Sequence, residues 1–333
     1  MFYKRTIPLL PGVLLVLTLC AGAVALGQIF PLIGSAVMGI FLGIVVRWRF
    51  PPAARFTPGI AFSSKQVLQW SIVALGFGLP IAEVARTGMD SLSITLATIS
   101  AAFLSALCFG KLLHVPGKLC VLIGTGTAIC GGSAIAAITP VLKPDAHEAA
   151  FSLSTIFLFN VLAVLLFPLF GHALGLSDRG FGLWAGTAIN DTSSVVAAAY
   201  SWSESAGEYA TIVKLTRAML IVPVTLVIGA WFVVKRRKDP QHGLLSSIRQ
   251  AFPWFIAWFV VASAAGRFLP PAISTAANGL APLMITAALT AIGLSTDLSK
   301  MRKTGWRPVA LGLLVWISVA ATSLVVQHLS ARW

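Results

Sequence analysis

Eleven apolar stretches follow one another along this chain, each near the ~20 residues that carry a helix across a bilayer. They fall at 9–26, 30–46, 66–82, 91–112, 119–142, 150–173, 180–201, 210–234, 250–268, 274–296 and 308–328. Hydrophobic residues make up 57% of the chain and charged ones 10%, where a soluble domain carries roughly a quarter charged. The chain therefore reads as an all-α polytopic membrane protein of about 11 transmembrane helices.

The basic residues support this order of spans. With the N-terminus inside, inner segments hold every Lys and Arg except Arg86, Lys143, Arg267 and Arg332, which fall outside, and Lys214 and Arg217, which fall within a span. That bias is the positive-inside pattern, and it places the C-terminus outside. It also accounts for a net charge of +14 without a nucleic-acid partner. Lys4 and Arg5 ahead of the first apolar stretch suggest a signal peptide, and Leu17-Thr18-Leu19-Cys20 a lipoprotein site. That site lacks the small residue before the cysteine, so the stretch reads as an uncleaved first span. Cys20, Cys108, Cys120 and Cys130 lie in or beside apolar spans with no CxxC spacing and read as packing residues.

One short pattern occurs nearly twice. Gly126-Thr127-Ala128-Ile129-Cys130-Gly131-Gly132-Ser133 in span 5 is echoed by Gly186-Thr187-Ala188-Ile189-Asn190-Asp191-Thr192-Ser193 in span 7. Runs of Gly, Ser and Thr let helices pack closely, or let a helix open and turn its peptide dipoles on a ligand. An opened helix presents free N–H groups at the start of its second half, where an anion can sit. On this reading Gly126, Thr127, Cys130, Gly131, Gly132, Ser133, Thr187, Asn190, Thr192, Ser193 and Arg217 are candidate substrate-binding residues. Asp191, a costly mid-membrane carboxylate, is the candidate for a coupling ion, proton or sodium. Asp191 and Arg217 enter from opposite sides to depths of ~16 and ~13 Å at 1.5 Å per residue, so they could instead pair. Lys214, one turn from Arg217, could snorkel to the interface. Asn160 is a further mid-span polar group, structural or functional.

A second echo pairs 74–88 with 291–305, from spans that run oppositely. It suggests inverted five-helix repeats, near 30–173 and 180–328, within one transmembrane domain. Spans 5 and 7, by contrast, run the same way on this count. Gly131-Gly132-Ser133 could set a serine nucleophile, but all five His fall at span ends, away from that serine's depth. No His, Cys, Asp or Glu spacing suits a metal. An enzyme, a metal and a cofactor are not expected.

These residues also carry a family resemblance. Gly126 through Ala136, the run from Gly186 to Ser193, Lys214-Leu215-Thr216-Arg217 and Ala291-Ile292-Gly293-Leu294-Ser295-Thr296-Asp297 together resemble the YeiH-like bacterial inner-membrane proteins. That group is often labelled as sulfate exporters. The resemblance runs from span 2 onward and departs at Asn190, where the family more often has His. It is distantly similar to the cation/proton antiporter and bile-acid symporter superfamily, which implies inverted repeats and unwound helices near a substrate. The expectation is a secondary transporter in the cytoplasmic membrane, N-terminus inside, exporting a small anion such as sulfate, sulfite or an organosulfonate. A cation-coupled carrier of another solute, a non-transporting receptor and a homo-oligomer stay open.

Overall fold

The computed structural model describes residues 9–29, 34–236, 254–296 and 305–333. Among them every regular element is helical. In chain order these are α1 (Leu10–Ile29), α2 (Gly34–Arg49), α3 (Thr57–Phe62), α4 (Leu68–Gly76), α5 (Ile81–Leu112), α6 (Gly117–Ala128), α7 (Gly132–Leu142) and α8 (Ala146–Ala173). There follow α9 (Asp178–Ala188), α10 (Thr192–Trp202), α11 (Glu204–Met219), α12 (Ile221–Arg236), α13 (Trp254–Gly266), α14 (Pro271–Ser295) and α15 (Trp306–Leu329). Within the described residues, each of the eleven apolar stretches coincides with a helix or a pair of helices. A π-helical turn over Ser63–Val67 joins α3 to α4.

Six helical segments among the described residues are individually long and apolar enough to cross a membrane: Leu10–Ile29, Ile81–Leu112, His147–Ala173, Glu204–Ile228, Ala272–Ser295 and Trp306–Leu329. The apolar side chains they turn outward, among them Leu104, Leu107, Leu165, Leu169 and Ile317, are exposed, an arrangement that suits hydrocarbon and not water. The protein is a polytopic membrane protein. Asp297 and the clusters Lys4–Arg5, Arg237–Lys238, Arg249 and Lys300–Lys303 lie outside the described residues.

The described residues fall into two compact units. The first takes those within Met1–Arg86, Val196–Glu208 and Trp254–Ser299. Here α14 packs along α2, and the two backbones nearly touch where Gly43 faces Gly293. A side chain at either position would run into the main chain of the other helix. The second unit takes those within Thr87–Val195, Tyr209–Pro253 and Lys300–Trp333. Its long helix α8 starts with a reciprocal cap: Glu148 N–H donates to Asp145 Oδ1 at 2.7 Å, and Asp145 N–H donates to Glu148 Oε2 at 2.9 Å.

Spans 5 and 7 correct the expected count of crossings. Span 5 is not one helix but α6 and α7 folded back to back. A side chain at Gly126 would meet Ile135 Cδ1 at 3.0 Å. Leu122, Ile135, Ile138, Leu142 and Ile156 form one buried cluster, and Lys118 Nζ donates to the Lys143 carbonyl at 2.8 Å. Residues 118 and 143 therefore lie at the same end, where a crossing helix would put them at opposite ends. Span 7 is likewise broken into two helices, α9 and α10. Within the second unit α11 runs parallel to α9: Leu183 clusters with Val213 and Tyr209, and one turn further along both helices the Thr187 carbonyl accepts from Arg217. The break at Ile189–Asp191 separates α9 from α10 as the break at Ile129–Gly131 separates α6 from α7.

The two hairpins enter from opposite ends. Helix α8 leads from the open end of the first, past Lys143, to the open end of the second, before Asp178. The C-terminal residues confirm where the second opens: Ser177 Oγ donates to the Trp333 carbonyl at 2.8 Å, and Trp333 Nε1 donates to the Leu174 carbonyl at 3.2 Å. Arg179 and Arg332, which the crossing count puts on opposite sides, thus share one. The span 5 and span 7 echo is consequently an inverted pair. Span 10, in contrast, runs unbroken as α14.

Candidate functional site

The two hairpin tips meet inside the second unit. The first tip is Ile129-Cys130-Gly131, between α6 and α7. Gly131 has φ +68° and ψ −125°, backbone that a residue with a Cβ rarely adopts, and this is what reverses the chain. The second tip is Ile189-Asn190-Asp191, between α9 and α10. A Cβ on Gly131 would sit 3.5 Å from Asp191 Cβ, so the tips are in contact.

Each tip exposes the C-terminal carbonyls of one half-helix, groups with no intrahelical partner. Buried away from water they require donors, and α11 supplies them. Lys214 Nζ donates to the Ile129 carbonyl at 2.9 Å and the Ile189 carbonyl at 2.8 Å. One turn further on, Arg217 Nε donates to the Ala128 carbonyl at 2.6 Å. Its two terminal nitrogens donate to the carbonyls of Thr127 and Thr187. Both side chains are fully buried. Each cation holds one hairpin to the other and sits at two negative helix ends at once.

Asp191 has a different task from the pairing that depth alone allows. Its Oδ2 accepts from Ser193 N–H at 3.0 Å and from the Ser193 hydroxyl, so it caps the start of α10. Its own N–H donates to Asn160 Oδ1 at 3.3 Å. Arg217 takes main-chain carbonyls instead of this carboxylate.

The structure brings Thr127, Cys130, Gly131, Asn190, Asp191, Ser193 and Arg217 together at the tips, with Gly126 packed under the first. Thr187 contributes its carbonyl, but its hydroxyl is 2.7 Å from Ser323 Oγ on α15. Gly132 is half-buried and Ser133 exposed on the first turn of α7, and Thr192 is half-buried on α10. Several buried polar atoms at the tips have no partner: both amide atoms of Asn190, Asn160 Nδ2 and Thr127 Oγ1. Among the described residues no group of three His, Cys, Asp or Glu could hold a metal ion. Lys214 is absent from the candidates read from the sequence, because a long basic side chain can snorkel. Its four-residue run with Arg217, which places both on one helix face, was the available signal.

The family model described as Conserved hypothetical protein 698 matches residues 11–312. The chain belongs to that family. Relatives within it include a UPF0324 membrane protein of Streptococcus mutans, 42% identical over 97% of this chain and 98% of its own. Another, from Streptococcus pyogenes serotype M6, is 40% identical over 97% of this chain and 98% of its own. A third, from Fusobacterium nucleatum, is 40% identical over 96% and 97%. The family match spans both hairpins and α11, so the tips and the two cations lie in the shared portion.

Proposed function

We propose that this protein is a secondary transporter of a small anion in the bacterial cytoplasmic membrane. The observation that carries the reading is the meeting of two opposed hairpin tips, stapled by Lys214 and Arg217 and flanked by buried polar atoms with no partner. Helix ends opened inside a membrane protein are tolerated only where they are buried in protein or line a cavity, and secondary carriers build their sites from such broken helices.

The charge at the tips favours an anion. Four half-helix ends meet there, two positive and two negative at roughly half a charge each, and they offset one another. What remains is two basic groups against the single carboxylate of Asp191, a surplus of about +1. Uncompensated charge of this kind is costly to bury, and a bound anion removes it. An organosulfonate, with a single negative charge, fits this surplus directly; sulfate and sulfite, with about two, fit it once a coupling cation neutralises Asp191, and export is the direction suggested by the resemblance. Asp191 is then the group that binds the coupling ion, proton or sodium.

The test is flux into proteoliposomes holding the purified protein, with labelled sulfate, sulfite, methanesulfonate and chloride, and with imposed proton or sodium gradients. At least one of these anions is expected to accumulate when a gradient is applied. Movement of a neutral or cationic solute in place of all of them would overturn the anion assignment.

A further inference from the structure

We infer that the carboxamides of Asn160 and Asn190 are the neutral donors that recognise the substrate, and that the substrate class is an oxyanion. This rests on the carrier reading above and assigns its specificity. Asn160 stands on α8 one turn after Ile156, whose Cγ1 and Cγ2 lie 3.1 and 3.3 Å from where side chains at Gly126 and Gly131 would begin. It therefore looks onto the first hairpin at its tip. Its amide orientation is determined, because Oδ1 accepts the Asp191 N–H at 3.3 Å and only an oxygen can do so. The NH2 must then face the other way, and there it has no partner although the residue is only 3% exposed.

Asn190 precedes Asp191, is 1% exposed, and has neither amide atom paired. The Thr127 hydroxyl is likewise buried and unpaired. Natural proteins rarely leave such groups unsatisfied, and each one asks for an explanation. Two amides offer up to four N–H donors, while the two cations of the site are already committed to carbonyls. A bare metal cation could take the Asn190 and Thr127 oxygens, but it would leave the NH2 of Asn160 without an acceptor, because the Asn160 oxygen is already turned to the Asp191 N–H. An oxyanion answers both conditions: its oxygens accept from the amides, and its charge meets the positive surplus held one layer away.

Asn160→Asp separates the donor from the shape. The aspartate still offers an oxygen to the Asp191 N–H, but it presents a second oxygen where the NH2 was. In proteoliposomes at pH 8, KM for labelled sulfate or methanesulfonate is expected to rise at least roughly ten-fold, as for a lost charge-assisted hydrogen bond. Lowering the pH should restore it, because the protonated acid regains an O–H donor; wild type should lack this limb. Asn160→Ala, which adds no charge, should raise KM similarly at every pH, with a thermal midpoint lowered because the Asp191 N–H loses its acceptor. Wild-type KM in both variants would overturn the inference and leave the carrier reading intact. In Asn160→Asp, which keeps an acceptor for the Asp191 N–H, a loss of flux at all pH values that tracks a lower thermal midpoint would also overturn it, showing a structural role. If wild-type protein neither transports these anions nor is stabilised by them in detergent, the carrier reading falls and this inference with it.

Discussion

Lys214 and Arg217 stand on successive turns of α11, and the number of carbonyls each holds sets what its loss should do. Arg217→Met strands three buried carbonyls and Lys214→Met strands two, at ~1–3 kcal/mol each before relaxation. Both variants should melt at lower temperature in detergent, Arg217→Met by more; an unchanged midpoint in either would contradict the staple. Arg217→Lys should not rescue, since an ammonium cannot present the three donors of the guanidinium fork in their fixed directions. Asp191→Asn behaves differently. Asparagine caps a helix as well as aspartate does, and neither Lys214 nor Arg217 loses a hydrogen bond by it, so the thermal midpoint should fall by less than in Arg217→Met even though a counter-charge is lost. Flux through this variant should no longer respond to an imposed proton or sodium gradient. A gradient-responsive Asp191→Asn would remove the coupling role from this residue. The sequence shows Asp191 and Arg217 as partners by depth, because distance along a helix gives a height but not a direction around its axis.

At the scale of the element, the first hairpin turns on one residue of unusual backbone. Gly131→Ala forces a Cβ into a conformation that is nearly glycine's alone, at ~1–3 kcal/mol, and brings that Cβ within 3.5 Å of Asp191 Cβ. Gly132 has no such constraint, and its nearest contact for an added Cβ is Leu153 Cδ2 at 3.4 Å. Gly131→Ala should therefore lower both thermal midpoint and flux, while Gly132→Ala should leave the midpoint near wild type. Equal effects would mean that the tip tolerates a side chain and that the glycines serve packing alone. From the sequence the two glycines are equivalent candidates. The repeated Gly-Thr-Ala-Ile marks where each helix opens, because small residues lower the cost of opening, but it carries no information on which way the chain then turns.

At the scale of the whole molecule, the hairpins change which residues share a side. Lys143 joins Lys118, and Arg179 joins Arg332, so one basic residue moves in each direction and the inside bias is unaltered. If the N-terminus lies inside, as the bias predicts, Lys143→Cys should react with an impermeant thiol reagent from the cytoplasmic side and Ser177→Cys from outside, in a background without the exposed Cys108. A reporter after Trp333 should also read external. Eleven full crossings require the reverse for Lys143 and Ser177, with the same answer for Trp333. The sequence by itself determined that the chain is an all-helical membrane protein, where its helices lie and where two of them open, because lipid demands ~20 apolar residues with every backbone group paired within the segment. A span that crosses and a pair of half-helices that fold back have the same length and the same apolar character. Only contacts between residues far apart in the chain tell them apart, such as Ile135 on Gly126 and the Lys118 ammonium on the Lys143 carbonyl. The tertiary structure likewise decided the partners of Lys214, Arg217 and Asn160, since a buried polar group takes whichever unpaired backbone group the packing brings to it.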